Sequence, residues 1–99
     1  MKLATKIAHR SEFPVYRHGA VLERGGTIVA LGVNSAWKSA GKRSTHAEVA
    51  ALMKAGKNSH GCDLYVARVN QAGEPALSRP CPACASVLKT YGIRNVYHT

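Results

Sequence analysis

Apolar and polar positions along the chain alternate between two periods. Leu3, Ile7 and Ala8 fall at helical spacing, and the pattern predicts a short helix over residues 3–10, ended before Pro14. The runs "GAVLER" and "TIVALGV" are rich in β-formers and meet at Gly25-Gly26, which predicts an antiparallel hairpin. The stretch "NSAWKSAGKRST" is polar, basic and glycine-containing, and reads as a loop. In "HAEVAALMKAG" Ala and Leu fill a helix that Thr45 caps and Gly56 stops. "CDLYVARV" alternates as a strand, with Leu64, Val66 and Arg68 on one face and Tyr65, Ala67 and Val69 on the other. After the loop "NQAGEPALSR", proline opens a second long helix, "PCPACASVLKTYG", with Gly92 past its end, and "IRNVYHT" reads as a last strand. The predicted order is α-β-β-α-β-α-β, a sheet covered by helices in an α/β domain.

Composition narrows the class. An apolar fraction of 45% over 99 residues is that of a globular chain with one core. No apolar run approaches the length of a membrane helix or a signal peptide, and the cysteine count is odd. A cytoplasmic protein in a reducing compartment, with no membrane association, is therefore expected. Fourteen Lys and Arg against 5 Asp and Glu leave a net charge of +9. That excess favours an anionic partner: a nucleotide phosphate, a nucleic acid or an acidic protein.

The chemistry concentrates in "SRPCPACASVLK". Cys81 and Cys84 are three apart in the first turn of the predicted helix, so both sulfurs lie on one face at a helix N-terminus, where thiolate is favoured. The pair suits a redox couple or part of a tetrahedral zinc site. Among the histidines, His46 also stands at a predicted helix start that follows a strand. Two helices entering from the same edge of one sheet bring their first turns together. His46, Cys81 and Cys84 then supply three ligands and leave a fourth position open, the pattern of a catalytic rather than a structural zinc. Glu48, two residues past His46, is placed to work on a zinc-held water, whose pKa falls to about 7. A closed structural site completed by Cys62 or His60 is the competing arrangement, although Cys62 at a strand start is more simply a buried core residue.

His46-Ala47-Glu48 followed by Pro80-Cys81-Pro82-Ala83-Cys84 resembles the zinc-binding signature of the cytidine/deoxycytidylate deaminase superfamily. "HGAVL" is similar to the family's first strand, "LGVN" to the end of its second, and the stretch from Ser11 to Ala20 to its short phage and bacterial members. The resemblance implies a three-layer α/β/α cytidine deaminase-like fold formed by one domain over residues 1–99. It implies zinc on His46, Cys81 and Cys84, with Glu48 as the acid–base that relays protons during hydrolytic loss of ammonia from cytosine. It also implies that Gly19-Ala20 line the pocket, that the Ala47 amide and the carbonyl near Arg79 hold the base edge, and that Asn34 holds the sugar. Arg79 adds a cation at the rim that suits a phosphate. Trp37, with Lys38, Lys42 and Arg43 near it, either stacks on a base at the site mouth or pins its loop to the core.

Two features depart from the family. Its usual fifth strand has no counterpart after the strand ending at Thr99, which leaves an open sheet edge and makes a homo-oligomer expected. Arg79 replaces the small or acidic residue common before the Pro-Cys pair. The leading expectation is a zinc hydrolase for a cytosine nucleoside or nucleotide. Single-stranded nucleic acid as substrate, and a catalytically silent zinc-bearing module that binds nucleic acid or protein, are the alternatives.

Overall fold

The computed structural model describes residues 2–10, 17–36, 44–45, 47–78 and 82–99. Its elements are α1 (Lys2–Ala8), β1 (Arg17–Arg24), β2 (Thr27–Val33), β3 (Ser35–Ala36), β4 (Ser44–Thr45), α2 (Ala47–Ala55), β5 (Asp63–Val69), β6 (Pro75–Ala76), α3 (Pro82–Thr90) and β7 (Asn95–His98). The predicted order holds. The short pairs β3 and β4, and the two residues of β6, come from segments that pattern alone assigned to loops.

Gly25 and Gly26 both take positive φ, 58° and 83°, as the two-residue hairpin turn requires. β1 pairs antiparallel with β2 on one side and with β5 on the other. β2 and β5 therefore run in the same direction and finish at the same sheet edge. β5 also pairs antiparallel with β6 and parallel with β7, so the main sheet has five strands. All four residues of β7 are exposed, including Val96 and Tyr97.

Strand alternation divides the core in two. Ala20, Leu22, Leu64 and Val66 pack against Ala47, Ala51, Leu52 and Ala55 of α2 and Leu88 of α3. Val21 and Ala67 face the other way, against Ala4 of α1, with Leu3, Leu31 and Tyr65 around them. The result is the expected α/β/α layering. Leu22, Leu52 and Leu64 are fully buried, each stabilising the fold by roughly 1.5–3 kcal/mol through lost water contact.

Two glycines let the helices lie directly on the strands. A Cβ on Gly32 would overlap the Ala47 carbonyl oxygen and stand 2.6 Å from the Ala51 nitrogen, so the first turn of α2 rests on the backbone of β2. Gly19 does the same for α1, where a Cβ would overlap Ala4 O and Ala8 N. This corrects the expectation that Gly19 lines the pocket. It faces α1, on the opposite side from α2 and α3, because successive strand residues point to opposite faces. Ala20, its neighbour, is buried in the α2/α3 core.

Cys62 is fully buried, its thiol 3.2 Å from Asn58 O, and burial pushes its pKa up. Both effects suppress the reactive thiolate. The native protein is therefore expected to leave Cys62 unmodified by iodoacetamide at pH 7.5, with peptide mass mapping as the measurement. Fast labelling of Cys62 without denaturant would contradict its place in the core.

Candidate active site

The two helices that follow β2 and β5 start from one sheet edge and pack on one face, against each other. Their N-termini therefore converge, as the sequence predicts. Glu48 is the second residue of α2 and only 5% exposed. Cys84 is the third residue of α3, 4% exposed, and not in a disulfide. His46 directly precedes α2 and Cys81 directly precedes α3, and both lie outside the described residues, as do Arg79 and Trp37.

Glu48 makes no hydrogen bond or ion pair with the described residues. A carboxylate buried without such partners is costly, and it persists where a bound water, substrate or metal completes its surroundings. A buried thiol at the next helix start, together with the imidazole and second thiol that the sequence places beside them, is a donor set that fits zinc. The residues present therefore suit the metal that the motif implies. Ala47 is fully buried against Gly32, which holds its main chain at the head of α2.

Asn34 follows β2 and is 7% exposed. Its backbone N–H donates to His18 O at 3.3 Å, and its side-chain Oδ1 accepts the His18 N–H at 2.9 Å. The side chain thus extends the β1–β2 ladder by one step. Oδ1 already accepts one hydrogen bond, from the His18 main chain. Immediately afterwards Ser35 pairs with Thr45 and Ala36 with Ser44. This two-residue pairing joins the residues just after Asn34 to those just before α2.

A second anchor was not legible in the sequence. Ser78 is buried, donates to Val66 O at 2.9 Å and accepts the Thr99 N–H at 3.0 Å, while its own N–H donates to Thr99 O at 2.8 Å. The Thr99 hydroxyl accepts the Arg68 N–H at 3.2 Å and donates to Ala76 O. These bonds tie the segment leading into α3 to β5 and to the end of β7. The sequence signal was weak: a serine two residues before the Pro-Cys pair, and a threonine after a strand.

A structural zinc site closed by Cys62 or His60 is ruled out by position. Cys62 directly precedes β5, at the edge opposite the one where β5 ends. The His60 imidazole lies over Gly92, just past the C-terminus of α3. Cys84 is at the other end of that helix, whose 9 residues span about 13 Å.

The model of the cytidine and deoxycytidylate deaminase zinc-binding region matches residues 1–99. Among solved structures, the chain is similar to the dCMP deaminase of cyanophage S-TIM5, at 22% identity and a TM-score of 0.68, covering 98% of this chain and 74% of that one. It is similar to guanine deaminase from Bacillus subtilis, at 24% identity and 0.70, covering 99% and 60%. It is also similar to cytidine deaminase from Mycobacterium tuberculosis, at 25% identity and 0.59, covering 97% and 77%.

Proposed function

The chain belongs to the cytidine and deoxycytidylate deaminase family, and from that premise we propose that it hydrolyses a cytosine nucleoside or nucleotide to the uracil product and ammonia. The carrying observation is Glu48: buried, without a hydrogen-bond partner among the described residues, and set in the first turn of α2.

His46, Cys81 and Cys84 would hold zinc, which when bound lowers the pKa of a water toward neutrality. Glu48 takes a proton from the attacking water and passes it to N3 of the base. The oxygen of that water bonds to C4, Glu48 takes the remaining proton from it and delivers it to the amino group, and the C4–N bond breaks to release ammonia and leave the uracil carbonyl. The main-chain amide of Ala47 and the carbonyl near Arg79 orient the base edge, the Asn34 side chain holds the sugar, and Trp37 and Arg79 border the mouth. One water is consumed and one ammonia released per turnover.

Residues 1–99 act as one deaminase domain in this reading, cytoplasmic and homo-oligomeric, the last supported by the exposed outer edge of β7. A silent binding module has no need of a buried carboxylate without a partner among the described residues, which favours the enzyme.

Zinc-loaded protein is expected to release ammonia from at least one of cytidine, deoxycytidine, CMP and dCMP. A cytosine-containing oligonucleotide and guanine complete the panel, because polynucleotide and purine substrates are the competing readings. Release from guanine alone would change the base assignment. Silence across the panel with zinc bound would overturn the enzyme reading.

A further inference from the structure

The sheet register draws a polar row across the site end of the α2/α3 face. Ala20 pairs with Val66 and Leu22 with Leu64, and these four lie in the core under α2 and α3. Two residues further along, His18 pairs with Arg68, which by strand alternation shares that face. Asn34 is bonded to the main chain of His18 on one side, and Ala76 pairs with Arg68 on the other. The row Asn34–His18–Arg68 thus stands about 7 Å beyond the core row, at the edge where α2 and α3 begin.

Both acidic residues of β1 and β5 stand at the end away from the site. Glu23 and Asp63 pair with each other there, next to Arg24, and Arg94 bridges Asp63 at 3.0 Å. At the site end the strands carry Arg17, His18 and Arg68. Arg17 pairs with Val69, so it belongs to the α1 face, and its guanidinium donates to Asn70 O at 2.8 Å. His18 and Arg68 face the site side and are half-buried. A guanidinium is always charged and suits phosphate oxygens through its forked donors.

A nucleotide presents its parts in the order base, sugar, phosphate. If Glu48 works at the base and Asn34 at the sugar, the next positions along the row are His18 and Arg68. We propose that Arg68, with His18 beside it, binds the 5′-phosphate of the substrate, so that the enzyme takes nucleoside monophosphates in preference to nucleosides. The proposal rests on the cytosine-deaminase reading above. It favours a mononucleotide over a polymer, because a polynucleotide track needs a stripe of cations, whereas among the described residues this row holds one guanidinium and one imidazole between an amide and an alanine.

The test is calorimetric binding of dCMP, deoxycytidine and a cytosine-containing single-stranded oligonucleotide to zinc-loaded Glu48→Gln protein, which prevents turnover. The parent is expected to bind dCMP on the order of 10–100-fold more tightly than deoxycytidine. Adding Arg68→Gln brings that ratio near one, and Arg68→Lys leaves an intermediate ratio, since it keeps the charge and loses the fork. The lysine variant carries the test if the glutamine variant fails to fold, as judged by circular dichroism. No dCMP preference in the parent, a ratio insensitive to Arg68→Gln, or, where that variant does not fold, to Arg68→Lys, or tighter binding of the oligonucleotide would each overturn the proposal. Ammonia release is read separately with Glu48 intact. Selective dCMP binding without turnover would overturn deamination while supporting the phosphate site, and failure to bind any cytosine compound would overturn both.

Discussion

Glu48→Gln is expected to lower kcat for ammonia release by on the order of 10²–10⁴-fold, the usual contribution of a positioned acid–base. The substitution keeps the size and shape of the side chain and removes its capacity to take and return a proton. It breaks no hydrogen bond with the described residues, because Glu48 makes none. It also removes a buried charge that lacks an ionic partner among them, so thermal stability is expected to hold or rise. Zinc content is expected to stay at the parent level, since the proposed ligands are His46, Cys81 and Cys84. The pattern that checks the role is therefore a collapse of kcat with unchanged metal content and an undiminished Tm. A variant that retains parental turnover would show that the carboxylate is not the proton carrier, and would leave a buried acid with no chemical task.

The largest expected effect on stability comes from Gly32→Ala. Most alanine substitutions in a strand are mild, but here the new Cβ would overlap main-chain atoms, Ala47 O and Ala51 N, rather than a side chain that can rotate away. The first turn of α2 must lift from β2, and forced overpacking of this kind costs about 3 kcal/mol or more. In a domain of this size each kcal/mol shifts Tm by roughly 4–8 °C, so a drop of more than about 12 °C is expected by calorimetry. Because the displaced turn carries Glu48, activity at a temperature where the variant is still folded is expected to fall as well. Gly25→Ala is the matched control. Nothing lies within 4 Å of a Cβ there, and the cost is that of a positive φ, 58°, about 1–2 kcal/mol. Equal losses at the two positions would mean that α2 does not rest on Gly32.

The reach of sequence reasoning can be judged at single residues. Thr27 and Val33 bound β2 where the β-rich run predicts, because a period-two pattern between two glycines and a polar loop has few other solutions. α2 and α3 fall within their predicted spans, since proline and glycine act locally on φ and on hydrogen bonding. Glu48 and Cys84 were legible as chemistry because helix starts and short spacings are also local features. Gly19 was misread, and Gly32, Ser78 and Thr99 were passed over. What each of them does depends on a partner distant in the chain: α1 across β1, α2 across β2, or the end of β7 against the segment before α3. No window of neighbouring residues contains those meetings.

The sequence by itself determined the identity and order of the main elements, the class of the domain and the set of groups from which a zinc hydrolase can be built, because each follows from local propensity, periodicity and donor chemistry. Only the tertiary structure decided that β2 and β5 end at one edge, that Gly19 serves α1 rather than the site, that Cys62 and His60 stand at the far end, and that Asn34, His18 and Arg68 form one row. The physical reason is strand pairing. Register sets which distant residues become neighbours and which face each one takes, and the hydrogen bonds that set it join segments with no local sign of one another.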